Sequence, residues 1–418
     1  MTSTVLSGIR VVELCEVWAG PMAGSLLGDL GADVVKVESY PRNSMTRPLA
    51  TVQPWPGEGG PAFERSPIHH LSNRNKRNIA LNLREQGGAE ALRRLLATAD
   101  VFFEGYSAGT VDKLGFSYEV ARAINPRLIY ISLPGWGAKG PYEGYVTLGS
   151  GLDAAAGHTI LRGYPDRPRE DTQPIFHSDA TGALAVVFAV ITALQQREAT
   201  GEGAYVDISQ IEVLNWHLPA LAADWGMNRR SQDRLGNADP LIVPHGCYRT
   251  NGGEAGEESW VVIAAEDDAQ WAALAEAAGH PEWAARGHAW ASIPGRLAAR
   301  AEIDAALAAF AMSGTAEEIA ERVQAAGAIA APVIAPWSLL ADPQHGFRSW
   351  MQYVDHPVVG TQAFPGFLWN VTPDAPSWDR PTSLVGEHNA EVLGELGYSD
   401  AEIAHLAEVG AIGNRYGA

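Results

Sequence analysis

Short β-branched runs alternate with helix-like stretches over the first 210 residues. IRVVEL (9–14), DVVKVE (33–38), VFFE (101–104), LIYISL (128–133) and AYVDIS (204–209) have the make-up of parallel strands buried on both faces. Between them, GPMAGSLLGDLGA, GGAEALRRLLATA and TVDKLGFSYEVARAIN space their apolar residues as helices packed on one face do, with Leu92, Leu95 and Leu96 as one such stripe. The alternation predicts an α/β fold, a Rossmann-like wound parallel sheet. Residues 48–67, with PWPGEGGP among them, hold too much Pro and Gly for a regular element and read as a long surface loop. After Trp225 the pattern changes: WVVIAA (260–265) is strand-like, Ala-rich helical sequence runs through Ala325, and VIAPW follows. This predicts a smaller α+β domain over 226–335, a large domain over 1–225, and a return segment, 336–418, that completes the large one. The tail GEHNAEVLGELGYSDAEIAHLAEVG has the spacing of amphipathic helices.

Composition narrows the classes. At 418 residues, 46% hydrophobic and 19% charged, the chain can bury a large core without staples. Cys15 and Cys247 are far apart and neither belongs to a CxxC pair, which argues against a disulfide framework or zinc site and for a reducing, cytoplasmic location. Arg10 and Glu13 interrupt the N-terminal stretch where a signal peptide needs an apolar one, and the run from Ala183 to Leu194 is shorter than the roughly 18 residues of a membrane span. No membrane association is expected. A net charge of −19 argues against nucleic acid as partner. A small phosphate-bearing ligand would need a local basic pocket.

Several motifs fall away on their context. GWGAKG (135–140) is a literal GxGxxG, but Pro141 follows where a phosphate-binding helix should begin. Glu38 ends its strand without a glycine fingerprint before it and reads as a solvated strand end. His177 with Asp179, and His69 with His70, lack a third ligand at metal-binding spacing, so no metal is expected. No GxxxxGK[ST] loop occurs. Asp179 remains: one carboxylate at the threshold of the apolar stretch Ala180–Leu194. A favoured N-cap is its structural reading. A sheltered, ionised carboxylate beside the amides of a helix start is also what a covalent nucleophile requires.

LSGIRVVEL, EVWAGPMAGSLLGDLGADVVKVE, NRNKRNIALNL, ADVFFEGYSAGTVDKLGFSYE, INPRLIYISLPGWGAKGP, SDATGALAVVFAVITALQQREATGEGAYVDIS, RLGNADP and VGEHNAEVLGELGY together resemble the class III CoA-transferases, the formyl-CoA and carnitine CoA-transferase group, from about Leu6 to Val409. The resemblance implies that Asp179 is the covalent nucleophile, that coenzyme A or acyl-CoA is a substrate with no permanently bound cofactor, and that a carboxylic acid is the other substrate. It implies an interlocked homodimer. It also places the CoA shell at Val17, Trp18 and Ala19, at Asn73, Arg74, Asn75 and Lys76, at Gly105 and Tyr106, and at Lys113 and Tyr145. Lys76, Arg77 and Lys113 would be its local cations. Backbone amides of Gly135–Gly137 or of Ala238–Pro240 are candidate oxyanion donors.

Two departures steer the substrate. Ser39 stands where formyl-CoA transferases have an arginine, and Ala238, Asp239, Pro240 and Leu241 replace their glycine-rich loop. Both argue against formyl-CoA:oxalate exchange; EVWAGP and the 13 Trp residues fit members that handle larger acids, dicarboxylates such as succinate or mesaconate. The superfamily's racemases need a histidine shortly after GWG…GP, and none lies between Pro141 and Gly157. A CoA-binding protein without catalysis is disfavoured by Asp179.

Overall fold

The six strands β1 (Arg10–Leu14), β2 (Asp33–Ser39), β3 (Lys76–Leu81), β4 (Val101–Glu104), β5 (Ile129–Ser132) and β6 (Ala204–Asp207) form one sheet in the order β3-β2-β1-β4-β5-β6, every pairing parallel. This computed structural model describes residues 5–47, 60–173, 175–252, 258–372 and 380–416. Val11, Phe103 and Ile131 meet Leu26, Leu27, Val186 and Val190 on one face of the sheet, under the first helix, Ala19–Asp29, and the long helix, His177–Thr200. On the other face Val12, Val35 and Phe102 pack with Leu92, Leu95 and Leu96 of helix Gln86–Thr98 and with Val392 and Leu406 of the C-terminal helices. Both faces are covered, as a parallel sheet requires. The long helix is apolar enough to cross a membrane by length and composition, with a mean hydropathy of 1.5. Here Ala183, Val186, Val187 and Val190 are buried in the protein.

β3 is the strand that apolar patterning does not reveal, because KRNIAL begins with two cations and an amide. All six residues are buried. Lys76 pairs with Glu13 at 2.7 Å, Arg77 with Asp33 and Glu395 at 2.6 Å each, and Asn78 with Glu38. Glu38 is therefore corrected: it is a fully buried ion-pair partner of Arg47 (2.7 Å) that also accepts the Tyr416 hydroxyl. Burial pulls its pKa up, but Arg47 and Lys36 hold it below the usual carboxylate range. Of the expected surface loop, residues 48–59 lie outside the described residues; Ala62–Glu64 form a 3-10 turn and Pro67–Ser72 a short helix.

The chain groups into two compact units, one comprising Met1–His158, Pro174–Arg229 and Gly346–Ala418, the other Thr159–Gln173 and Arg230–His345. Residues 159–173, read from the sequence as part of the large domain, group with the smaller unit. That unit holds an antiparallel sheet of β7 (His245–Arg249), β8 (Trp260–Ala264) and β9 (Ile329–Val333), packed around Trp271, Leu274, Leu307 and Val323. The return segment adds to the first unit the hairpin β10 (Met351–His356) and β11 (Gly360–Pro365) and the C-terminal helices.

Candidate active site

Strand order reverses at β1 and β4, so the connections leaving their C-terminal ends run to opposite sides and open a crevice, the usual ligand site of wound sheets. Val17, after β1, has φ 65°, a left-handed conformation that is an outlier for a β-branched residue. The kink lets the first helix start at once, at Ala19. Phe176, with φ 57°, sits just before the long helix. Two helix N-termini thus border one cavity of about 70 Å³, lined by Val17, Trp18, Ala19, Gly105, Gly149, Gln210 and Asp179 among others.

Asp179 stands in the first turn of the long helix and is 8% exposed. A Cβ on Gly149 would overlap its Oδ2 and crowd the Phe176 ring at 3.1 Å, so the carboxylate rests on bare backbone that only glycine leaves open. Burial raises the Asp179 pKa to about 6; the amides of Ala19 and of Asp179 itself pull it down, while buried Asp153 pushes it up. At neutral pH the group is ionised, largely desolvated and faced by amide donors, the condition of a nucleophilic carboxylate. The Trp18 ring lies 6.0 Å from that of Phe176, and its buried Nε1 has no hydrogen-bond partner among the described residues.

Gly105 borders this cavity, and Tyr106, the next residue, borders a larger one of about 460 Å³ with Val37, Ser39, Arg42, Leu83 and Arg84. The turn between them is anchored by Glu104, which accepts the Tyr106 amide at 2.9 Å and the Ser132 hydroxyl. Burial raises Glu104 to about 7. Arg42 and Arg84 are exposed and bring two cations to an otherwise acidic protein.

Of the residues singled out in the sequence, Val17, Trp18, Ala19, Gly105 and Asp179 come together at the smaller cavity and Tyr106 joins the larger. Asn73, Arg74, Asn75 and Lys76 line neither. Lys76 is fully buried and donates to Pro21 O at 2.6 Å, Ser72 O at 2.9 Å and Asn73 Oδ1 at 3.1 Å besides pairing with Glu13. An ammonium has three N–H groups, and none is left for a phosphate. Arg74 and Asn75 both bond Asp29, and Arg77 is likewise committed. These side chains tie β3 to the first helix and to β1 and β2. Lys113 is exposed at the end of Thr110–Lys113, and Tyr145 stacks near Tyr142 at 4.9 Å; neither lines the two cavities. Gly149, Asp153, Arg42 and Arg84 were not legible as site residues. Only Arg42, a cation just past a strand end, left a signal in the sequence.

A sheltered carboxylate at the switch point of a wound sheet, with two cations on a second cavity that meets the first at Gly105 and Tyr106, is an arrangement suited to an α/β enzyme of the group-transfer kind. The chain belongs to CoA-transferase family III, whose model matches residues 6–389. It is 30% identical over 412 residues to the succinyl-CoA–D-citramalate CoA-transferase of Chloroflexus aurantiacus, covering 96% of both chains. It is 30% identical over 403 residues to the succinate–glutarate CoA-transferase of Agrobacterium fabrum, covering 94% of this chain and 95% of that one. A solved CAIB/BAIF family protein from Brucella suis superposes with a TM-score of 0.82 at 31% identity, covering 94% of this chain and 99% of the other. The protein is a transferase that moves CoA between carboxylic acids.

Proposed function

We propose that Asp179 is the covalent nucleophile and that the acids exchanged are dicarboxylates such as succinate. The observation that supports this most is the setting of the carboxylate: buried, ionised at neutral pH, resting on Gly149 and faced by the Ala19 amide at the start of a second helix. An Asp179 oxygen attacks the acyl-CoA carbonyl, the C–S bond breaks, and CoA leaves as thiolate from a mixed anhydride. The thiolate attacks the aspartyl carbonyl, and the donor acid departs as its carboxylate. The aspartyl-CoA thioester is attacked by the acceptor carboxylate, releasing CoA thiolate. That thiolate attacks the acyl carbonyl of the new anhydride, which frees the new acyl-CoA and the Asp179 carboxylate. No proton is gained or lost over the cycle.

Each tetrahedral intermediate needs donors for its oxyanion, each typically worth ~3 kcal/mol. The Ala19 amide and the unpartnered Trp18 Nε1 are better placed than Gly135–Gly137, which do not line the cavity. The nucleotide end of CoA is assigned to the larger cavity, with Arg42 and Arg84 for its phosphates. Ser39 itself borders this cavity, so Arg42 offers the guanidinium that Ser39 lacks. The dicarboxylate reading is supported by the relatives named for citramalate and glutarate. The working form is proposed as a homodimer: Phe188 is 74% and Trp216 83% exposed, and Leu184 and Ile191 continue the Phe188 stripe. Two free cysteines support a cytoplasmic location.

Borohydride added after an acyl-CoA donor is expected to reduce acylated Asp179 to the alcohol, in the tryptic peptide of residues 170–197, because free carboxylates are not reduced. A panel of donors and acids read by mass spectrometry is expected to favour succinyl-CoA over formyl-CoA. No label in that peptide with any turned-over donor would overturn the nucleophile. Preference for formyl-CoA and oxalate would overturn the substrate class, and a monomer by light scattering at low concentration the dimer.

A further inference from the structure

We propose that Asp153 is a positioning residue for Asp179, seating the chain that leads into the long helix; this rests on the nucleophile reading above. Asp153 lies in the seven-residue helix Gly149–Ala155 and is fully buried. Its Oδ2 accepts the backbone amides of Phe176 at 3.2 Å and Ile175 at 3.4 Å. These residues immediately precede the helix, and Phe176 is the one held at φ 57°. A carboxylate oxygen that accepts two successive amides holds that strained entrance in place.

The same short helix begins at Gly149, whose backbone lies against the Asp179 carboxylate, the Phe176 ring and the Ser178 hydroxyl. It therefore meets the site twice: its first residue supports the carboxylate, and its fifth holds the segment that delivers it. Shifting that segment would move the Phe176 ring from Trp18 and Asp179 from Gly149 together.

Charge adds a second effect. Acylation cancels the charge of Asp179 as protonation does, so a buried anion nearby favours both. Asp153 is that anion. Of the other ionisable groups around Asp179, Glu16 borders the cavity from the loop after β1, His177 precedes it on the same helix with the His158 ring 5.8 Å away, and Glu212 on helix Gln210–Asn215 is exposed.

The test compares Asp153→Asn, which keeps an amide acceptor and loses the charge, with Asp153→Ala, which loses both. Two readouts on the full-length protein are used. The first needs no donor: the pH dependence of carbodiimide coupling at Asp179, mapped in the 170–197 peptide. The second is the borohydride label formed with succinyl-CoA, alongside kcat and KM. In the Asn variant the coupling midpoint is expected to fall by about one pH unit and the label by about tenfold. The Ala variant is expected to lose about 100-fold in kcat with KM for succinyl-CoA nearly unchanged. If both variants keep the parent midpoint and the parent label, Asp153 does not position Asp179 and the inference is overturned. If instead the unsubstituted protein couples at Asp179 but never labels, it is the nucleophile reading that fails, and the positioning of a nucleophile with it.

Discussion

Asp179→Asn separates a catalytic carboxylate from a helix cap, because a cap tolerates Asn with near-normal activity whereas a nucleophile does not, and because removing a buried charge makes the stability change depend on pH. The Asp179 pKa stands at about 6 in the folded protein against an ordinary value of 3.8. A gap of about two units is worth about 3 kcal/mol. The folded protein binds this proton more tightly than the unfolded chain does. Ionising the group therefore removes stability as pH rises from about 4 to about 6, and the full cost remains at pH 7.5. Asn carries no charge at any pH, caps a helix almost as well as Asp, and still offers an oxygen to the Ala19 amide. The variant is expected to be more stable by up to about 3 kcal/mol at pH 7.5, with the gain shrinking towards zero near pH 4. Its transfer activity is expected to fall on the order of 10⁴-fold or more. Urea titrations of both proteins at equal subunit concentration, from pH 4 to 8, read the difference directly. An Asn variant that is less stable at pH 7.5, or whose stability gap is the same at every pH, would refute the electrostatic argument; retained activity would refute the nucleophile.

Five further substitutions test other parts of the account. Arg42→Ala and Arg84→Ala are each expected to weaken CoA binding by about 1–3 kcal/mol and flatten its salt dependence in calorimetry, while Lys113→Ala leaves both unchanged. Lys76→Met should destabilise the fold by about 3–5 kcal/mol in urea titration, since it strips a partner from fully buried Glu13. A Lys76 variant that folds normally and loses CoA binding would restore the phosphate role. Gly149→Ala puts a methyl group onto Asp179 Oδ2 and is expected to lower kcat about 100-fold with little change in CoA affinity; normal turnover would show that the carboxylate does not need that seat.

Five of the six sheet strands and the helices between them were legible because their signal is local: a run of β-branched residues, or an apolar stripe one turn apart, is complete within a few residues. Asp179 was legible in the same way, as a lone acid at the head of an apolar helix, and the family resemblance gave it a role. β3 was not, and for the same reason neither was the true place of Lys76 and Arg77. A lysine or arginine reads as solvated unless its counter-charge is known. Here the counter-charges come from Glu13 on β1, Asp33 on β2 and Glu395 on a C-terminal helix, all remote in the chain. Asp153 and Gly149 were hidden similarly: one became a buried acceptor of amides more than twenty residues on, the other a gap beneath a carboxylate. Apolar burial depends on a residue's own side chain and so leaves a periodic trace. Burial of charge depends on a partner that folding alone brings within hydrogen-bond distance, and no periodicity records where that partner will come from.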